Sequence, residues 1–269
     1  ASLDQGSGDS DPWYINSESA LSASNPASNG YRYVSAGNTG ESATGSSFTI
    51  GASFPKGYQA FYAMKYELTE GQWVEFINSL PSAAARANHD LTDNSHKASD
   101  TVLARNAISC SGSPLACSTE RPSRALSYLS WMDLAAFLDW AALRPVTELE
   151  FEKISRGPAL PINSEYAWGS TDTTAVAAIS GSEEDGTETV TTSGANAHFN
   201  DTTLSGGDTA LGAEYQKGPL RAGILSTDSS TRLSAGAGYY GAMELSGNLK
   251  EHVVTIGNAG GIALSLNGK

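Results

Sequence analysis

The sequence predicts an α+β fold of few short helices, short strands and much irregular chain. Three observations carry this expectation. A helix-start signal recurs at Thr69, Ser130 and Thr147; aromatic or alternating stretches of strand character stand apart from those helices; and Gly, Ser and Thr abound while charged residues make up only 17% of the 269.

Residues 1–48 are rich in Ser, Gly, Asn and Asp, broken by Trp13-Tyr14-Ile15 and Tyr31-Arg32-Tyr33-Val34. They read as an extended N-terminal arm or as short edge strands. Residues 48–54 and 58–66 have the aromatic content of strands, and the second stretch runs into the first helix. There Thr69 caps, Gln72 answers it three residues on, and Leu68 and Trp73 stand as a hydrophobic staple. Trp73, Phe76, Ile77 and Leu80 recur at the spacing that makes one apolar face.

Residues 82–124 are polar and irregular and read as an insertion, the kind of excursion that is usually functional or variable surface. This stretch holds Cys110 and Cys117, the two cysteines of the chain. Gly112 and Pro114 between them let the backbone fold back. A local disulfide in an oxidising compartment is therefore favoured over a catalytic pair, since the spacing is not CxxC and no His lies nearby.

The second and third helices follow at a Pro-marked corner. Ser130 with Asp133, and Thr147 with Glu150, repeat the reciprocal cap. Leu134, Phe137, Leu138 and Ala141 line one face of the second helix, while Pro145 starts the third and Gly157-Pro158 ends it. Glu148, Glu150 and Glu152 crowd that helix start, where negative charge offsets the helix dipole by ~0.3–1 kcal/mol each; this role is preferred to a catalytic one. After Tyr166-Ala167-Trp168-Gly169 the chain to about residue 207 is loop-like, with Asn200-Asp201-Thr202 as a glycosylation sequon. Leu220, Ala222 and Ile224 alternate as in a strand, and Tyr239 to Leu245 reads as a buried run closed by Ser246-Gly247-Asn248.

A net charge of -13 argues against a nucleic-acid partner, because a phosphate backbone needs a basic surface to replace its counterions. No apolar run approaches the ~20 residues of a membrane span. The chain opens at Ala1 without a basic or apolar leader, as expected of a processed, secreted product.

The order of the blocks MKYELTEGQWVEF, LSWMDLAAFLDWAALRPVTELEFEKISRG, YAWG and YYGAMELSGNLKEH resembles the formylglycine-generating enzyme family, the sulfatase-modifying-factor domain. The resemblance implies a C-type-lectin-like fold over residues 49–269: a small, twisted antiparallel sheet, few short helices and much irregular chain. It also implies a structural Ca²⁺ held by Asn248, the Leu249 carbonyl and Glu251, with Asn196 as the first residue of a second, weaker calcium site; hard oxygen donors on a tight turn suit that ion. The family's copper-binding cysteine pair lies well beyond the GN..E block, and no copper site is visible here. The iron-dependent branch needs clustered histidines, whereas His89, His96, His198 and His252 show no ligand spacing and read as ordinary surface or loop residues.

The expected function is that of a non-catalytic extracellular protein, structural, adhesive or self-assembling into filaments, whose partners are further copies, surface proteins or glycans. Two alternatives stand beside it. One is a copper- or iron-dependent oxidoreductase whose catalytic segment lies outside these residues, and the other is a carbohydrate-binding module.

Overall fold

The computed structural model describes residues 4–5, 13–23, 48–93, 106–162, 164–180, 186–199 and 219–255. Its helices are α1 (Glu70–Ser79), α2 (Ala83–Ala87), α3 (Trp131–Trp140) and α4 (Glu148–Arg156). Helix starts leave backbone N–H groups without partners. At α1, α3 and α4 the caps Thr69, Ser130 and Thr147 accept from the third helical residue, while Gln72, Asp133 and Glu150 reach back to the cap N–H. Glu150 also takes both guanidinium nitrogens of Arg144, at 2.7 and 2.6 Å, so its role is capping and pairing.

The strands are short: β1 (Asp4–Gln5), β2 (Trp13–Tyr14), β3 (Leu21–Ala23), β4 (Phe48–Ile50), β5 (Ile108–Ser111) and β6 (Ala116–Thr119). They pair antiparallel as β1 with β2, β3 with β4, and β5 with β6. The fold is thus mixed α and β, with small antiparallel pairs and few helices. The edge strand expected at residue 13 forms; residues 31–34 lie outside the described residues.

Two expected strands are absent. Residues 58–66 are irregular, with Tyr58, Tyr62 and Tyr66 exposed; aromatic content without alternating burial made no ladder. Arg221 makes a lone antiparallel bridge to Arg124, and residues 222–225 form turns because Gly223 takes a positive φ of 75°. Leu220, Ile224 and Leu225 are buried all the same, in a cluster with Val176, Ile179 and Met243. In the run from Tyr239 to Leu245, Ala242, Met243 and Glu244 are buried while both tyrosines are exposed.

The chain falls into two compact units, each drawn from separated stretches. Unit 1 takes the described parts of Ala1–Ala63, Ala142–Pro161 and His252–Lys269, and unit 2 those of Met64–Ala141 and Ile162–Glu251. In unit 1 the side chain of Lys56, 1% exposed, donates from Nζ to the carbonyls of Glu18, Gly51 and Phe54 at 3.3, 2.8 and 2.8 Å. The Glu18 carboxylate in turn accepts the backbone N–H groups of Lys56 and Gln59. These bonds hold a loop that has little secondary structure of its own.

In unit 2, α1 and α3 share an aromatic core. The Trp73 ring lies 5.0 Å from Phe76 and 6.3 Å from Phe137. His89, expected on the surface, is packed here instead, 5.5 Å from the Phe76 ring, with Nδ1 at 2.8 Å from the buried Asp133 carboxylate. Much of the 82–124 stretch has defined structure. Cys110 and Cys117 oppose each other across β5 and β6 and are joined in the expected disulfide.

The Asn78 amide fastens that hairpin to α1. Its Nδ2 donates to the Cys117 carbonyl and its Oδ1 accepts the Cys117 N–H, both at 2.9 Å. Asn78→Ala is expected to cost about 1–3 kcal/mol, since two backbone groups lose their partners. Urea denaturation would show this as a lowered midpoint with an unchanged slope; an unchanged midpoint would mean the hairpin is held by the disulfide and α1 packing alone.

Candidate functional site

Residues 122–126 of unit 2 run between residues 68–71 and residues 220–222. Leu126 N–H donates to the Leu68 carbonyl, Glu70 N–H to Arg124, Ala125 N–H to Leu220, and Ala222 N–H to Ser123. This irregular layer sets Glu67, just before the α1 cap, beside Leu220. The turn at residues 246–249 closes over both.

That turn needs unusual backbone angles. Gly247 has φ 124°, and a Cβ there would stand 2.8 Å from the His198 carbonyl oxygen. Asn248 follows at φ 59°, a left-handed conformation that Asn tolerates better than most residues. Its N–H donates to the His198 carbonyl at 2.8 Å and its Oδ1 accepts the Leu220 N–H at 2.8 Å. Its Nδ2 donates to Glu67 Oε2, and the next N–H, of Leu249, donates to Glu67 Oε1 at 3.1 Å. Glu67 thereby clamps the turn with both carboxylate oxygens.

Glu244 completes the arrangement from the preceding loop. It too is left-handed, at φ 59°, which for a Glu costs of order 1–3 kcal/mol and so marks a backbone held in place by its surroundings. One oxygen accepts the Gly223 N–H at 2.7 Å. The other, Oε2, is buried without a hydrogen-bond partner, although the side chain is only 6% exposed. Glu244, Asn248, Ser246 and His198 line a small space.

The electrostatics follow from burial. The Glu67 carboxyl is pushed up to about 9, first by burial and then by the repulsion of Glu244 and Glu251, against the pull of Asn248 and the Leu249 N–H. Burial likewise raises Glu244 to about 7, with Glu251 adding repulsion while the Gly223 N–H and Arg221 oppose it. Burial also raises Glu251 to about 7. The Glu251 side chain is nonetheless exposed, so the case for a constrained acidic site rests on Glu67 and Glu244. Strongly shifted groups of this kind cluster at functional sites.

Of the residues expected to hold calcium, Asn248 and Leu249 are brought together on Glu67, and Glu251 lies near enough to act on Glu67 and Glu244. Asn196 lines the same small space, but its side chain is engaged elsewhere. Its Oδ1 accepts the Thr174 N–H at 2.8 Å and its Nδ2 donates to the Asp172 carbonyl at 3.0 Å. Asn200 lies outside the described residues. Sequence reasoning missed Glu67 and Glu244. Each stood in plain view within a quoted block, but nothing local indicated that they meet.

Among the described residues no three His, Cys, Asp or Glu side chains converge closely enough to hold a metal ion by themselves. The donor chemistry still fits a hard cation. Glu244 Oε2 is an oxygen in want of a positive partner, and neighbouring carboxylates that repel one another are relieved by a divalent ion. His198 is buried, whereas His252 is exposed; His96 lies outside the described residues. No helix among the described residues is long and apolar enough to cross a membrane.

No protein family, curated protein or solved structure matches the chain.

Proposed function

We propose that the protein is a non-catalytic extracellular binding protein, adhesive or structural in role, on a scaffold similar to the lectin-like fold of the formylglycine-generating enzymes. The observation that carries this reading is how unit 2 holds its loops. Polar side chains, the buried Glu244 and Asn196 and the half-buried Glu67 and Asn248 among them, tie backbone to backbone where a sheet would otherwise do so. Exposed aromatic residues are carried on the loops held this way. Irregular loops fixed on a rigid base are suited to recognition. Partners of such a surface are further copies of the chain, other surface proteins or glycans.

The joining of Cys110 to Cys117 supports the same reading. No free thiol remains in the chain for a copper-thiolate centre, and the bond suits an oxidising, extracellular setting. Protein loaded with Cu(I) or Fe(II) and given a cysteine-containing peptide is expected to consume no oxygen above the free metal, measured with an oxygen electrode. Turnover above that level, lost on Cys110→Ser, would make the chain an oxidoreductase and end this reading.

A structural Ca²⁺ belongs to the proposal. Glu251, the Leu249 carbonyl and the turn at Asn248, the set that the resemblance implies, would hold it together with the unpartnered Glu244 Oε2. Its role would be to fix the loops rather than to carry chemistry.

A further inference from the structure

The turn from Tyr166 to Gly169 and the loop carrying Tyr239 meet through one guanidinium. Arg232 Nη2 donates to the Ala167 carbonyl at 2.8 Å, and its Cζ lies 5.5 Å from the centre of the Tyr239 ring. Gly169 permits this approach. It sits at φ 77°, and a Cβ there would stand 2.8 Å from Arg232 Nη1.

Around this hinge point the rings are fixed from beneath. Tyr166 stacks on the buried Trp168 at 4.7 Å and 16°, and Trp168 is itself anchored by its Nε1 donating to the Asp172 carbonyl at 2.8 Å. Tyr239 is braced edge-on by Tyr240 at 5.0 Å. The outer surfaces remain open, with Tyr166, Tyr239 and Tyr240 at 41%, 46% and 61% exposure.

We propose that Tyr166, Tyr239 and Tyr240 form a platform that binds a neutral polysaccharide. The inference rests on the binding-protein reading above and names the ligand class. Three physical points select this occupant. Taking roughly 200 Å² per ring, the open aromatic surface is about 300 Å². That falls well short of the ~800 Å² per partner of a stable protein interface, yet it covers two or three sugar rings.

A pyranose presents an apolar C–H face that loses ordered water when it lies on an aromatic ring, and a ring already held in place gives up little entropy in receiving it. The chain from Ser170 to Thr174 follows directly on the platform and carries exposed hydroxyls and one carboxylate, the groups that sugar hydroxyls bond. Finally, the net charge of -13 repels uronic and sulfated polymers at long range, leaving neutral chains as the match.

The test is native gel electrophoresis of the intact chain through gels containing hydroxyethylcellulose, arabinoxylan or galactomannan, with polygalacturonate as the anionic comparison. At least one neutral polymer is expected to retard the protein and to change its tryptophan fluorescence. Tyr166→Ala and Tyr239→Ala are expected to weaken that retardation tenfold or more, and Gly169→Ala severalfold by displacing Arg232. Tyr62→Ala, altering a 91% exposed ring of unit 1, should leave it unchanged.

Near-UV circular dichroism checks that each variant is folded, and Tyr240→Ala replaces any that is not. Retardation by none of the three neutral polymers overturns the proposal, as does retardation indifferent to the platform substitutions or confined to polygalacturonate. A dimer in sedimentation that these substitutions dissolve, with no polymer bound, would assign the platform to a second copy and also overturn it. Either failure leaves the oxygen-uptake result, and with it the non-catalytic reading, standing on its own.

Discussion

Replacing Trp73 with Ala is expected to destabilise unit 2 by about 3–5 kcal/mol, the range for emptying a buried aromatic site. Trp73 is wholly buried and touches Phe76, His89 and Phe137, so its loss opens a cavity between α1 and α3. At roughly 2–4 °C per kcal/mol for a body of this size, the melting temperature should fall by some 6–20 °C.

A second substitution separates volume from polarity. Trp73 Nε1 is buried with no hydrogen-bond partner, so Trp73→Phe removes an unmet donor as well as part of the ring. The two effects oppose each other, and the cost should stay under about 2 kcal/mol. Thermal unfolding followed by near-UV circular dichroism measures both; a Trp73→Ala chain that melts within 2 °C of the parent would show that the aromatic core is not where the stability of unit 2 lies.

The second large effect is on pH. The folded carboxyls of Glu67 and Glu244 ionise only near about 9 and about 7, above the ordinary value of about 4.5 that they regain on unfolding. The folded state therefore holds extra protons between these limits. Its stability from this source is fully present below about pH 4.5 and is lost as pH rises through 7 and on towards 9. The protein is expected to melt higher at pH 5.5 than at pH 8.5, by about 4–8 °C if ~2 kcal/mol of the linkage survives solvent screening.

Ca²⁺ at a hundred times its dissociation constant should add about 2.7 kcal/mol at pH 8.5 and much less at pH 5.5, where protons already occupy the carboxylates. Glu244→Gln, which puts an amide where the unpartnered oxygen stands, should reduce the pH dependence, leaving the larger part that belongs to Glu67, and abolish most of the calcium response. Scanning calorimetry with and without calcium decides the matter. Equal stability at both pH values, unchanged by Glu244→Gln, would remove the acidic junction from consideration as a site.

What could be read in the sequence was what depends on near neighbours. The caps at Thr69, Ser130 and Thr147 are legible because donor and acceptor lie three residues apart, and the cysteine pair because a turn separates them. The clamp between Glu67 and Asn248 spans 181 residues, and no local pattern announces such a contact.

The same limit explains His89, whose polar surroundings in sequence hid a pocket made by Phe76 and Asp133. It also explains residues 220–224, where alternation suggested a strand but Gly223 turned the chain. The spacing of apolar residues does not say whether the backbone between them stays extended.

Lys56 gives unit 1 a built-in counterpart to a bound metal ion. Its ammonium is a cation covalently part of the chain, seated on three carbonyls, so chelators and dilution leave that loop untouched. It is also a primary amine shut away from solvent. An acylating reagent can reach it only in molecules whose loop has come apart, and the rate at which Lys56 is labelled, set against the exposed lysines, would serve as a clock for how often unit 1 opens.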